Sequence, residues 1–295
     1  MTIILLVVVI AILVVLVYLL VFWKPADAGD QSNSGTTAGS AADGSGADTS
    51  GVNGSGGSDS AAVTPAPPGS ELSYYDPTRA DRYDAFSAAN PDIAFDDVVW
   101  MVDVDLDKAP YEDPQPVPDP TSLTLLVNKH YNLPEDFTPP DLVSIGKSMM
   151  RQDAADAMNV MISAASAEGL NLWVQSGFRS YDVQKSLYEQ YTASDGADVA
   201  DTYSARPGHS EHQTGLAADL NTITDAFGDT KEGQWVAENC WQYGFIVRYT
   251  AENTGLTLYK PEPWHVRYIG IDNSTSMHEL GFSSYEEYWV KNIRQ

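Results

Sequence analysis

The hydrophobic and polar positions divide this chain into stretches of unlike pattern. Residues 2–23 (TIILLVVVIAILVVLVYLLVFW) are wholly uncharged, and a run of that length matches a helix that crosses a bilayer. Residues 25–70 carry Gly, Ser, Ala, Asp, Thr and Pro with almost no large apolar side chain. Such a segment has nothing to bury and reads as a disordered linker, with a coil dimension on the order of 35–40 Å. Residues 71–140 are rich in Tyr, Asp and Pro around a short apolar run at 98–102. They read as an extended N-terminal segment wrapped on the main domain, which occupies 141–295.

Periodicity is clearest in that last stretch. Between 141 and 167, Leu142, Ile145, Met149, Ala157, Met158, Met161 and Ala165 recur at threes and fours, which predicts an amphipathic helix stopped at Gly169. LNLWVQS at 170–176 alternates and predicts a strand. Ser180 is placed to cap a helix over 181–193. GLAADLN predicts a strand ending at Asn221. Residues 235–243 fit a helix with Gly244 as its stop. FIVRY at 245–249 and WHVRYIG at 264–270 predict strands, and 285–291 a short closing helix. Helices beside a small, mostly antiparallel sheet make the fold class α+β.

Composition refines the picture. The formal net charge is −25, from 16 basic and 41 acidic residues. That charge repels phosphate backbones, so nucleic acid is not an expected partner. Cys240 is the sole cysteine, which rules out an intramolecular disulfide and any thiolate cluster. Residues 1–24 are read as a retained transmembrane anchor. A cleavable signal peptide competes, because Ala26, Asp27 and Ala28 make a small-residue cleavage site. Against it, the apolar core is too long for a signal and no basic residue precedes it. The domain is expected outside the cytoplasm; Lys24, the only nearby cation, argues weakly against that orientation, and long domains translocate largely regardless of charge.

The candidate chemistry lies in the histidines, of which there are five: His130, His209, His212, His265 and His278. A lone histidine is usually structural, so combination decides. His212 and Asp219 flank a glycine-containing turn that runs into a strand, and His265 opens another strand in EPWH. Two imidazoles and a carboxylate form a three-ligand zinc set with a fourth position open to water. Glu262 precedes His265 by three residues, and Pro263 keeps the segment extended. Glu262 can then lean over the open position as a general base without being a ligand. SIGK at 144–147 matches a serine-peptidase S-x-x-K, but its K-T-G partner is missing and Ser144 falls on the predicted helix. His209 competes with His212 as a ligand. Cys240 reads as a buried small apolar residue.

SGFRSYDVQKSLY, PGHSEHQTGLAAD and EPWHVRYIG resemble, in order, the three signature blocks of the VanY-type D-alanyl-D-alanine carboxypeptidases, a zinc peptidase family that includes LD-carboxypeptidases. LVNKHYNLPEDFTPPDLV at 126–143 resembles the segment that precedes their core. The similarity spans roughly residue 90 to the C-terminus and implies the Hedgehog/D-Ala-D-Ala peptidase fold. It implies Zn2+ held by His212, Asp219 and His265, with Glu262 as base and Arg179 stabilising the oxyanion or binding the substrate's carboxylate. Gln184, Ser210 and Trp264 match substrate-pocket positions, and the ligand falls on His212, leaving His209 in the pocket or behind a ligand. The implied enzyme is a membrane-tethered carboxypeptidase that removes the C-terminal D-alanine from peptidoglycan stem peptides. Its alternatives are an L,D-carboxypeptidase acting on tetrapeptide stems and a non-catalytic zinc-bearing wall-binding module.

Overall fold

The computed structural model describes residues 68–294. The anchor expected at 1–24 and nearly all of the linker expected at 25–70 lie outside the described residues. Among the described residues no helix is long and apolar enough to cross a membrane.

Where an extended wrapping segment was expected, the chain forms two helices, α1 (Ala80–Ala89) and α2 (Phe95–Asp103). The apolar run at 98–102 is helical because its residues serve two faces. Val98, Val99 and Val102 close a small cluster with Tyr83, while Trp100 joins the main core. Asp103 ties the ends together, accepting from Tyr83 Oη at 2.7 Å and from Arg79 Nη1 at 3.2 Å. A minimal parallel pair follows, β1 (Gln115–Pro116) with β2 (Tyr131–Asn132).

The helix expected to start at 141 is replaced at its beginning by a hairpin. Strands β3 (Leu142–Ile145) and β4 (Ser148–Arg151) pair antiparallel, and only then does α3 (Gln152–Ala167) begin. The two-residue loop between them puts Gly146 at φ +58°, the conformation a tight hairpin demands of its first loop residue. Within α3, Ala154, Ala155, Met158, Met161 and Ala165 are buried, as the spacing requires.

The main sheet gathers strands that are distant in sequence. After β5 (Val174–Ser176) come α4 (Tyr181–Asp195), short α5 (Ala197–Ala200) and β6 (Ala217–Leu220). Then follow α6 (Lys231–Asn239), β7 (Phe245–Tyr249), short α7 (Thr254–Thr257) and β8 (Glu262–Tyr268). Helices α8 (Ile271–Glu279) and α9 (Tyr285–Tyr288) close the domain, and a π-helical turn (Trp289–Ile293) follows α9 directly. The sheet order is β5-β6-β8-β7, with every neighbouring pair antiparallel. Ser180 caps α4 as expected, its Oγ accepting from Val183 N. Helix α6 starts earlier than expected because Thr230 caps it at Gly233 N, and residues 240–243 tighten into a 3-10 turn before Gly244. All four residues of β6 are buried, so an acid on this strand is carried into the interior.

Candidate active site

Strand register assembles the site. Asp219 on β6 lies directly opposite His265 on β8 and opposite Ser176 on β5. Paired residues on adjacent strands share a face, so a carboxylate and an imidazole 46 residues apart meet. Glu262 and His265, three apart on one strand, would point to opposite faces of a regular strand. The ladder is irregular there: two steps along β7, from Val247 to Tyr249, are matched by four along β8, from Val266 to Glu262. Such a bulge re-aims side chains, and Glu262 Oε2 comes within 3.8 Å of His265 Nδ1.

His212 enters from the 3-10 turn Glu211–Thr214 that precedes β6. Its Nε2 lies 3.3 Å from Asp219 Oδ2, while His265 Nδ1 lies 3.2 Å from Asp219 Oδ1. The two rings meet edge to face, with centroids 5.0 Å apart. One donor atom from each of His212, Asp219 and His265 lies within 4.8 Å of the others, and all three residues are buried. The remaining ring nitrogens are engaged elsewhere: His212 Nδ1 with Gly177 O at 2.7 Å, and His265 Nε2 with Glu211 Oε2 at 3.3 Å. Each imidazole thus turns its other nitrogen toward the same carboxylate. That donor set, two nitrogens and an oxygen in a buried pocket, fits zinc with one position left open.

The hairpin β3–β4 braces this arrangement from below. Gly177 N donates to Ser148 Oγ at 2.6 Å and Phe178 N to Met149 O at 2.7 Å, while Arg179 N donates to His212 O at 3.1 Å. A Cβ on Gly177 would collide with the Met149 carbonyl oxygen, so only glycine allows this approach. Arg179 then reaches the site, with Nη1 on Gln184 Oε1 at 2.7 Å and Nη2 at 3.8 Å from Asp219 Oδ2. Gln184 is itself held by Ala205 O at 2.7 Å.

Electrostatics separates the two acids. Burial pushes the Glu262 carboxyl up to about 7, with His265 opposing. Burial also acts to raise Asp219, but the adjoining His212 and His265 outweigh it and hold Asp219 below the carboxylate range. The two acids are thus shifted in opposite directions, Asp219 toward the ionised form and Glu262 toward the protonated one, a separation that suits a ligand and a base.

All eight residues singled out from the sequence, His212, Asp219, His265, Glu262, Arg179, Gln184, Ser210 and Trp264, line one cavity of about 470 Å3. The other three histidines lie elsewhere. His209 packs against Tyr111 and bonds Asn128 O through Nδ1 at 2.8 Å, outside the cavity lining. His130 is buried beside Asn128, and His278 stacks on Trp241. Ser144 stands exposed on β3, not on a helix, and outside the cavity. Cys240 is buried and its thiol is pushed up to about 12 by that burial. Sequence reasoning passed over Glu211, which touches His265; its only signal was an acid beside a candidate ligand. It also passed over Tyr249, whose ring centroid lies 5.0 Å from that of His265, and Lys260, which lines the cavity beside Tyr203.

A small antiparallel sheet carrying a two-histidine, one-aspartate centre with an adjacent glutamate defines the class of zinc metallopeptidases. The family model for VanY, D-alanyl-D-alanine carboxypeptidase, matches residues 147–271. The putative carboxypeptidase YodJ of Bacillus subtilis (strain 168) is 41% identical over 191 residues, covering 59% of this chain and 70% of YodJ. A D-alanyl-D-alanine carboxypeptidase of Enterococcus faecium is 32% identical over 179 residues, 56% of either chain. Among solved structures, the LdcB LD-carboxypeptidase superposes with TM-score 0.57 at 37% identity, covering 60% of this chain and 90% of LdcB. The D,D-pentapeptidase VanY of a VanB-type resistance cassette, solved with Zn(II), gives TM-score 0.51 at 30% identity over 58% of this chain and 99% of that one. The chain belongs to the VanY D-alanyl-D-alanine carboxypeptidase family and is a zinc metallocarboxypeptidase.

Proposed function

We propose that this chain removes the C-terminal D-alanine from peptidoglycan stem peptides, acting on the D-Ala-D-Ala end of pentapeptides. The observation that carries this reading is the convergence of three metal donors, a buried glutamate and an arginine on one cavity. Zinc bound by His212, Asp219 and His265 supplies Lewis acidity toward the scissile carbonyl and the attacking water. Glu262 Oε2 accepts the proton of that water and returns it to the departing amine, a role suited to a carboxyl raised to about 7. Arg179 is always cationic and presents a fork of donors. Held by Gln184, it receives the developing oxyanion or the terminal carboxylate of the substrate.

A second reading, cleavage of the L,D bond in tetrapeptide stems, draws on the likeness to LdcB. Incubating the protein with defined tetrapeptide and pentapeptide stems and weighing the products separates the two. Loss of one alanine from the pentapeptide alone is the expected result; loss from the tetrapeptide alone transfers the assignment to the L,D class. The uncharged residues 2–23 and the Gly/Ser/Ala/Asp-rich 25–70 support a domain tethered to the membrane and placed outside the cytoplasm.

A further inference from the structure

Glu211 is a fully buried acid. Its side chain has no exposed surface, and neither have those of its partners Arg248 and Arg267. Oε1 accepts from Arg248 Nε at 2.9 Å and from Arg267 Nη1 at 3.0 Å. Oε2 faces His265 Nε2 at 3.3 Å. The two arginines are fixed in turn. Arg248 is gripped by both oxygens of Glu286, at 3.0 and 2.5 Å. Arg267 donates to Leu125 O at 2.8 Å and to Tyr268 O at 3.0 Å. Two acids and two arginines, drawn from the 3-10 turn, β7, β8 and α9, form a buried network, joined at Glu286 Oε1 by Asn128 Nδ2 at 3.2 Å, whose one outlet toward the metal site is the imidazole of His265.

The donor rules fix what passes through that outlet. An ionised carboxylate only accepts, an arginine only donates, and a neutral imidazole carries one N–H and one lone pair. With Oε1 committed to the arginines, Oε2 demands a proton from His265 Nε2. Nδ1 faces the ionised Asp219 at 3.2 Å, so its lone pair is called for only with the metal bound, and the single N–H then sits on Nε2 against Glu211. We propose that Glu211 is a positioning residue of the metal centre, which holds the Nε2 proton of His265 and so presents Nδ1 to the metal, with Arg248 and Arg267 as its fixed counter-ions. Carboxylates behind metal-binding histidines set the tautomer and raise ligand basicity, and here the carboxylate is itself locked from behind. The proposal rests on zinc being held by His212, Asp219 and His265.

The direct test is the nitrogen spectrum of the zinc-loaded full chain labelled with 15N-histidine. The expected result is a protonated Nε2 and an unprotonated Nδ1 on His265; the reverse tautomer overturns the proposal. Zinc affinity, measured by competition with a chromophoric chelator, gives an independent reading. Glu211→Gln is expected to weaken zinc binding by roughly 10–100-fold. Glu286→Gln breaks the same network away from His265, so it lowers the melting temperature while zinc affinity stays near wild type. Equal loss of affinity in both variants makes the role of Glu211 merely structural and overturns the proposal. Zinc retained by His212→Ala overturns the ligand set itself. Zinc lost there but bound normally by Glu211→Gln overturns this proposal alone. If Glu211→Gln does not fold, the wild-type tautomer decides.

Discussion

At the scale of the residue, the base proposed at Glu262 offers a way to separate binding from turnover. It lies beside His265 but outside the three-donor set, so Glu262→Gln, nearly isosteric, should keep both zinc and fold. What disappears is the group proposed to accept a proton from the attacking water and hand it to the amine. Acid–base steps of this kind contribute about 10²–10⁴-fold, and the loss should fall on kcat, because contacts through Arg179 survive. Zinc analysis, melting temperature and D-alanine release on the pure variant check it. Full zinc with near wild-type turnover removes Glu262 from the mechanism; loss of zinc makes it a ligand. This residue was legible in the sequence only as an acid three places before a candidate ligand; an extended EPWH alone would turn it to the opposite face, and the bulge supplies its orientation. Glu211 was not, because nothing in SEHQTG tells an acid that meets two distant arginines from one that meets solvent. Those arginines lie 37 and 56 residues further along the chain.

At the scale of the element, the hairpin β3–β4 supports the site although none of its side chains lines the cavity. It fixes Gly177, whose carbonyl holds His212 Nδ1, and Phe178, the neighbour of Arg179. Gly177→Ala should therefore damage stability and zinc affinity together. Overpacking costs typically about 1–3 kcal/mol, read as a lowered denaturation midpoint, and displacing the carbonyl frees the His212 ring. A variant that binds zinc normally would show that the hairpin does not brace the ligand. Periodicity misread this element because Leu142, Ile145 and Met149 fit a helical stripe as well as they fit two short strands, and only Gly146 marks the break. The strand FIVRY was legible to the residue, since β-branched and aromatic side chains bounded by Gly244 leave no helical alternative. The bulge that turns Glu262 toward His265 leaves no trace in hydrophobic pattern, because it is a property of two strands in register.

At the scale of the whole molecule, the proposed tether makes a concrete demand. Protease added to spheroplasts that express the intact chain should release the domain and leave a small membrane-bound stub. A soluble product with its N-terminus near Gly29 would instead establish cleavage and secretion. The proposed activity depends on one metal ion held at one place. The most direct measurement is to strip the purified chain with a chelator, return zinc stepwise, and follow bound zinc and D-alanine release from a defined stem peptide together. Activity should vanish on stripping, return in proportion to zinc, and saturate at one ion per chain, with penicillin having no effect. Release that persists in the stripped protein, or that penicillin stops, would contradict a metal centre at His212, Asp219 and His265.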